Sequence, residues 1–305
     1  MDGRPSHERA GNLDPQGGDR GNQRDGEWLI AAPHLFVGRQ RVSTALMSLD
    51  IPAALEDGLS RIPTRVAAIL FVAYLAVGAI STVAAQTLSL AVVDALQTTV
   101  PADATAPTTP RMGGGALALD VGLPVAAALF LVQIVLAQVV GVVGIRTFVS
   151  DARSSFPSGL ASHLAWVVVN ALVAGFVVNV LIGLGTILLV IPGIYLAVAL
   201  YFVQFEVIIE ERNAIEALRT GWELTKGERL GVFLLLLIIF TLGLASAVPG
   251  IALGFVGAPT PVVAAVSVLV GAVAGLLSVV VGARAYVQLK SDGWSPSFGA
   301  PSPFA

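Results

Sequence analysis

The stretch Phe233-Leu234-Leu235-Leu236-Leu237-Ile238-Ile239-Phe240 is apolar on every side. A half-buried strand alternates apolar and polar residues, and an amphipathic helix keeps a polar stripe. This segment does neither. It lies inside a run, 230–283, that contains no Asp, Glu, Lys or Arg. Three more such runs occupy 66–93, 121–145 and 154–205. A helix needs about 20 apolar residues to cross a hydrocarbon core of ~30 Å. The runs 66–93 and 121–145 therefore hold one span each, and the two longer runs hold two each. The expected breaks are Gly183, Gly185 and Pro192-Gly193 in one, and Pro249-Gly250 and Pro259-Thr260-Pro261 in the other. Helices are predicted over 66–92, 121–146, 160–183, 187–208, 230–249 and 261–285. A membrane β-barrel would alternate over segments of about ten residues, and these runs do not. The predicted fold class is all-α, a polytopic bundle of six transmembrane helices.

Composition agrees. Of 305 residues, 55% are hydrophobic and 12% charged, about half the charge of a soluble domain. That excludes a water-soluble globule, and it excludes a disordered chain, which needs low hydrophobicity. The net charge of −3 speaks against a nucleic-acid partner. With no Cys, disulfides, thiolate nucleophiles and Cys-based metal sites are out.

Basic residues set the orientation. In a six-helix arrangement all but Arg111 of the 17 Lys and Arg fall on one side. The positive-inside rule makes that side cytoplasmic. Both termini are then expected in the cytoplasm of a cell-membrane protein.

Residues 1–46 read as a disordered polar tail, and Met47 reads as an alternative start that would leave them untranslated. The membrane domain is expected over 47–290, with a short C-terminal tail at 291–305. Asp50 can cap a helix with Pro52 in its first turn. Ile51, Leu55, Leu59 and Ile62 recur at helical spacing, as on an interfacial helix. The external 94–120 loop, with Asp94, Asp103, Asp120 and Gly113-Gly114-Gly115, reads as a solvated connection.

The most informative connection is 213–226. Arg212, Glu216, Arg219, Glu223 and Lys226 form a stripe of alternating sign at i,i+3 and i,i+4 spacing. Ile215, Leu218 and Trp222 form an apolar stripe. Asn213 followed by Glu216 fits an N-terminus, and Lys226-Gly227 fits a C-terminus. An amphipathic helix is predicted, packing Trp222 on the base of the bundle, with its charged stripe free for a cytoplasmic or membrane protein partner.

Within the spans, Gln86, Gln133, Gln138, Asn170, Asn179 and Gln204 are expected to act as interhelical glue. No charged residue is expected mid-span, which disfavours proton-coupled carriers. Ser267, Gly271 and Gly275, like Gly250 and Gly254, have the spacing of close helix approach. The strings Ile191-Pro192-Gly193-Ile194 and Val248-Pro249-Gly250-Ile251 echo each other. Paired broken helices of that kind point to a transport site in other folds.

Catalysis finds little footing. His163 is the one His in the membrane domain. The string Phe156-Pro157-Ser158-Gly159-Leu160-Ala161-Ser162-His163 resembles the central motif of the membrane phosphatidic-acid phosphatases. That motif has a His where this chain has Leu160, and its other two motifs are missing. No catalytic, cofactor-binding or metal-binding residue is assigned, no cofactor is expected, and the chain is expected not to be an enzyme.

Two strings carry a broader resemblance: Ile191-Pro192-Gly193-Ile194-Tyr195-Leu196, and Glu216-Ala217-Leu218-Arg219-Thr220-Gly221-Trp222-Glu223-Leu224-Thr225-Lys226-Gly227. Together they resemble the membrane-domain family found fused to some glycerophosphodiester phosphodiesterases. The resemblance implies a stand-alone six-helix domain over about residues 60–285. It carries over no catalytic residue, because the phosphodiesterase chemistry belongs to a separate soluble barrel.

The expected function is a non-enzymatic scaffold or partner-binding module at the inner leaflet of the bilayer. The alternative is a transporter or lipid-handling channel for a neutral or amphipathic substrate. A midplane cavity lined by Asn170, Asn179 and Gln133, with both Pro-Gly breaks facing it, would favour the alternative.

Overall fold

The computed structural model describes residues 49–99, 117–150, 152–290 and 294–298. The 1–46 tail, Asp103 and Gly113–Gly115 lie outside the described residues. Among those described there are nine helices and no strand. They are α1 (Ile51–Leu59), α2 (Arg65–Thr99), α3 (Leu123–Val149), α4 (Leu164–Leu188), α5 (Val190–Ala199), α6 (Val203–Ile209), α7 (Ala214–Leu224), α8 (Arg229–Phe255) and α9 (Thr260–Leu289). Six segments are long and apolar enough to cross a membrane: α2, α3, α4, α5 with α6, α8 and α9. By length and composition the chain is a multi-pass membrane protein.

α2 pairs with α3, α4 with α5, and α8 with α9, while α9 also packs against α1, α2 and α3. The buried core gathers at one end, around Val142, Phe148, Val167, Phe202, Ile208, Val280 and Tyr286. At the other end the α4–α5 tip (Ile187–Ile191) and the α8–α9 tip (Phe255, Val256) are exposed. Apolar side chains facing outward along the spans are what a bilayer solvent permits.

Several predicted boundaries are corrected. Charge runs marked where helices leave the apolar core, not where they stop, so α2 continues past residue 92 to Thr99 with Asp94 inside it. The third and fourth spans separate at Leu189, which is extended (φ −160°, ψ 140°). Gly183 and Gly185 lie within α4, and Pro192 sits in the first turn of α5, where a missing N–H costs nothing. Pro249 and Gly250 are inside α8, and the chain turns only after Phe255, with Gly257 at φ +71°. The fourth span is divided at Leu200–Phe202 into α5 and α6, with no Gly or Pro to announce it.

The Pro-Gly echo has a packing cause. A Cβ on Gly193 would stand 2.8 Å from Thr186 Cα across the α4–α5 hairpin. A Cβ on Gly250 would collide with the Ser267 hydroxyl across the α8–α9 hairpin. Each pair is a close approach inside a hairpin, not a broken helix. A Cβ on Gly275 would only touch the Tyr74 ring at ordinary contact distance, 3.4 Å, and Gly254 and Gly271 have open space where a Cβ would be.

The Asp50 cap forms, with its carboxylate accepting from Ala53 N at 3.1 Å. α1 buries Ala54 and Gly58, flanked by Ile51 and Leu55, while Leu59 is exposed. A Cβ on Gly58 would be 3.0 Å from a Val280 methyl, so α1 is docked on α9, beyond what its apolar ridge implied. The Asp57 carboxylate adds ion pairs to Arg61 and Arg284.

Candidate functional site

α7 is built to lie against the bundle. Asn213 Oδ1 accepts from Glu216 N at 2.9 Å, and Asn170 Oδ1 accepts from Ala214 N at 3.2 Å. These bonds satisfy two of the donors that every helix start leaves open. The buried face is Ala214, Ala217 and Gly221. A Cβ on Gly221 would fall 3.0 Å from the Val203 backbone, so only small residues allow this approach. Further along, Thr225 Oγ1 donates to Ala199 O at 3.0 Å. Trp222 meets Tyr195 edge-on, with ring centroids 5.8 Å apart, and the Arg229 guanidinium lies 4.7–4.8 Å from both rings. α7 therefore runs antiparallel beside α6 and α5. The two strings that carry the family resemblance meet in this contact, Tyr195 from one and Trp222 from the other.

The predicted apolar stripe is corrected in part. Leu218 and Trp222 pack on the core, but Ile215 is 82% exposed. Residues advance ~100° around a helix, so with Ala214 at the centre of the contact Ile215 points sideways. The charged stripe forms as expected at two places, Arg212–Glu216 at 2.8 Å and Arg219–Glu223 at 3.2 Å. The exposed side of α7 thus carries Ile215 among paired charges.

Beneath α7 is a buried ionic junction. Arg146, fully buried near the end of α3, donates to Ile208 O (3.1 Å), Leu160 O (2.9 Å), Ser162 O (2.9 Å) and Glu211 Oε1 (2.9 Å). The guanidinium fork is suited to this. Glu211 also accepts from Ser162 Oγ at 3.0 Å and meets His163 Nδ1 at 2.8 Å. His163 (φ 46°) and Glu211 (φ 52°) are the non-glycine residues with left-handed backbone among those described. The strained segments face each other across this contact. The Ser162 hydroxyl is bonded to the Glu211 carboxylate, which the His163 ring meets through its other oxygen. Glu206, 1% exposed, accepts from Tyr286 OH (3.0 Å) and Lys290 Nζ (2.7 Å) and pairs with Arg212 (3.2 Å). Glu210 accepts from Trp294 Nε1 at 2.9 Å and Ser297 Oγ at 3.1 Å, which binds part of the C-terminal tail to the bundle.

The junction stands at the ends of the spans, outside the mid-span region expected to carry no charge. Arg146 and Glu206 lie within the last turns of two spans. They also delimit charge-free runs in the sequence, where each reads as a boundary. Buried charges are retained where partners neutralise them, and these partners lie up to 84 residues away.

The span amides are engaged. Gln133 Nε2 donates to Ser81 Oγ at 2.7 Å, Gln204 Nε2 to Ala171 O at 3.0 Å, Asn170 Nδ2 to Trp166 O at 3.0 Å and Asn179 Nδ2 to Gly175 O at 2.8 Å. Gln138 reaches Gln204 at 3.5 Å, and Gln86 Oε1 accepts from Leu117 N at 3.2 Å. Asn170, Asn179 and Gln133 belong to different contacts. A cavity of ≈ 340 Å³ does lie between α2, α3 and α9, lined by other residues, among them Tyr74, Ser81, Thr82, Ser267 and Gly271.

Residues 49–289 match the family model described as Domain of unknown function (DUF7847), and the chain belongs to that family. No curated protein and no solved structure matches it.

Proposed function

We propose that the protein is a non-catalytic scaffold of the cell membrane, with both termini and α7 cytoplasmic, and that α7 presents a docking surface to a protein partner. The observation that carries this reading is the division of α7 into two faces. Ala214, Ala217 and Gly221 hold it to the bundle, and Ile215, Arg219 and Glu223 stand outside. A large apolar residue ringed by charge matches the core-and-rim arrangement of protein interfaces. The ionic junction supports it by tying the ends of α3, α6 and α9 together beside the start of α7, so the surface is presented on a rigid base.

The carrier alternative gains nothing from the Pro-Gly pairs, which serve helix packing, or from Gln133, Gln138 and Gln204, which bond between helices, and the expected glue role is corrected for Asn179, whose bond to Gly175 O stays within α4. A relation to the phosphodiesterase-associated membrane domains is proposed on the Tyr195–Trp222 contact between the two resembling strings.

The test is quantitative co-purification from native membranes, comparing wild type with Ile215→Asp and with Arg219→Glu/Lys226→Glu. A protein recovered in stoichiometric amount with wild type and lost with both variants is the expected result. Equal recovery with all three would remove α7 as the docking surface.

A further inference from the structure

We propose that α4, α5, α6 and α7 form an arm lying in the plane of the bilayer surface, with the outward face of α4 sunk among the acyl chains of the leaflet on the α7 side. α4, and α5 with α6, are long and apolar enough to cross, but length alone sets no tilt. The tilt is read from what borders the arm on each side.

One border is charged. α7 and the connection after it run beside α6 and α5. A Cβ on Gly221 would stand 3.0 Å from the Val203 backbone, Thr225 Oγ1 donates to Ala199 O at 3.0 Å, and the Arg229 guanidinium lies 4.7 Å from the Tyr195 ring. From Tyr195 to the turn at Leu189 is only ~9 Å of helix. Along this border Arg219, Glu223 and Lys226 are exposed.

The other border is apolar. Trp166, Val169, Val173, Phe176, Val180 and Leu184 recur at every third or fourth position of α4, and all are exposed. They occupy the same stretch of the arm as the charges. Asn170 Oδ1 accepts from Ala214 N at the start of α7 (3.2 Å), Ala171 O accepts from Gln204 Nε2 (3.0 Å), and a Cβ on Gly185 would stand 3.1 Å from Gly193 Cα. The apolar face continues into the turn, where Ile187–Ile191 are exposed.

The two borders fix the tilt. Standing along the bilayer normal, the arm would hold Arg219, Glu223 and Lys226 at the depth of Val173, Phe176 and Val180, and one depth is either water or hydrocarbon. Hydrocarbon is costly for the charges, and water leaves a contiguous apolar face uncovered. Lying in plane, the arm turns α7 to water and α4 to acyl chains, as an interfacial amphipathic element does. The amphipathicity belongs to the layer of helices and not to α4 alone, whose inner face packs on α6 and α7. α8 gives the contrast. It starts at the same Arg229 and runs ~40 Å to Phe255 with no further charge, the length of a crossing. Four of the six candidate segments then cross. The arm begins and ends on one side, so the orientation of those four is unchanged. Which leaflet holds the arm rests on the cytoplasmic placement of α7 proposed above; the tilt does not.

The experiment places single cysteines carrying the fluorophore NBD in the full chain, reconstituted in phosphatidylcholine vesicles. The vesicles contain phosphatidylcholine with a doxyl quencher either high or low on its acyl chain. Val169→Cys, Phe176→Cys, Val180→Cys and Leu184→Cys sample ~22 Å of α4. Phe240→Cys, exposed on α8 about 16 Å from Arg229, is the control for mid-bilayer depth. All four α4 sites should be quenched more by the high quencher, and Phe240→Cys more by the low one. In a crossing α4, Phe176 and Val180 would lie ~10 and ~16 Å deeper than Val169 and would follow Phe240. That reversal at either site, so that one unfolded variant leaves the other to decide, would overturn the proposal. Quenching of the α4 sites by neither lipid, as when a second copy or another protein covers the face, would overturn it too. Impermeant labelling of Glu223→Cys reports the side of α7 separately, so a reversed orientation would refute cytoplasmic docking and leave the depth order as it stands.

Discussion

Replacing Trp222 by Ala removes two ring contacts and the packing of the indole on the core. The edge-on pair with Tyr195 (5.8 Å, 75°) contributes ~0.5–1.5 kcal/mol beyond its buried area. The Arg229 guanidinium 4.8 Å from the indole adds ~0.5–1 kcal/mol at a partly exposed site. Truncating a fully buried Trp costs about 3–5 kcal/mol. Trp222 is partly buried against the core, so the expected loss is ~2–3 kcal/mol. Trp222→Phe keeps the ring against Tyr195 and Arg229 and should cost less than ~1.5 kcal/mol. Ile215→Ala, about two turns away on the same predicted stripe but 82% exposed, should stay within ~0.5 kcal/mol. The assay is reversible unfolding of the purified protein by SDS in mixed micelles, followed by far-UV circular dichroism. A cost for Ile215→Ala equal to that of Trp222→Ala, or a Trp222→Ala variant as stable as wild type, would refute the placement of α7.

Other expectations follow from the same contacts. Gly193→Leu should abolish folded protein on size-exclusion chromatography, because its Cβ would lie 2.8 Å from the Thr186 backbone. Gly254→Ala, with open space at that position, should elute and melt as wild type. Glu206→Ala leaves Lys290 and Arg212 facing a buried site without its carboxylate and should cost ~3–5 kcal/mol in the same SDS titration. Arg219→Glu with Lys226→Glu disturbs only exposed pairs and should move stability by less than ~1 kcal/mol.

The six spans were legible because a charge-free run of sufficient length has one physical meaning in a chain this apolar. The Asp50 and Asn213 caps were legible because a cap is a local bond between near neighbours. The buried face of α7 was not. Hydrophobic periodicity registers Ile215 as a contact residue and passes over Ala217 and Gly221, yet close backbone approach selects for small size, not for apolarity. The Pro-Gly pairs were misread for a related reason: Gly193 and Gly250 are required by atoms on the opposing helix, Thr186 and Ser267. The ionic junction was hidden because Arg146 and Glu206 stand at run boundaries and Lys290 at the end of the membrane domain, where a charge ordinarily meets water. Only the tertiary fold brings Lys290 to Glu206.

A cytoplasmic docking surface requires α7 and the α8–α9 turn to lie on opposite sides of the membrane, with α7 inside. The chain has no native Cys, so single cysteines can be placed at Glu223, exposed on α7, and at Val256, exposed in the α8–α9 turn. Val256 is preferred to Gly257, whose φ of +71° a side chain would strain. In intact cells an impermeant thiol reagent should label the Val256→Cys protein and leave the Glu223→Cys protein unlabelled until the membrane is permeabilised. Labelling of Glu223→Cys in intact cells, with Val256→Cys protected, would contradict the orientation and with it a cytoplasmic partner for α7.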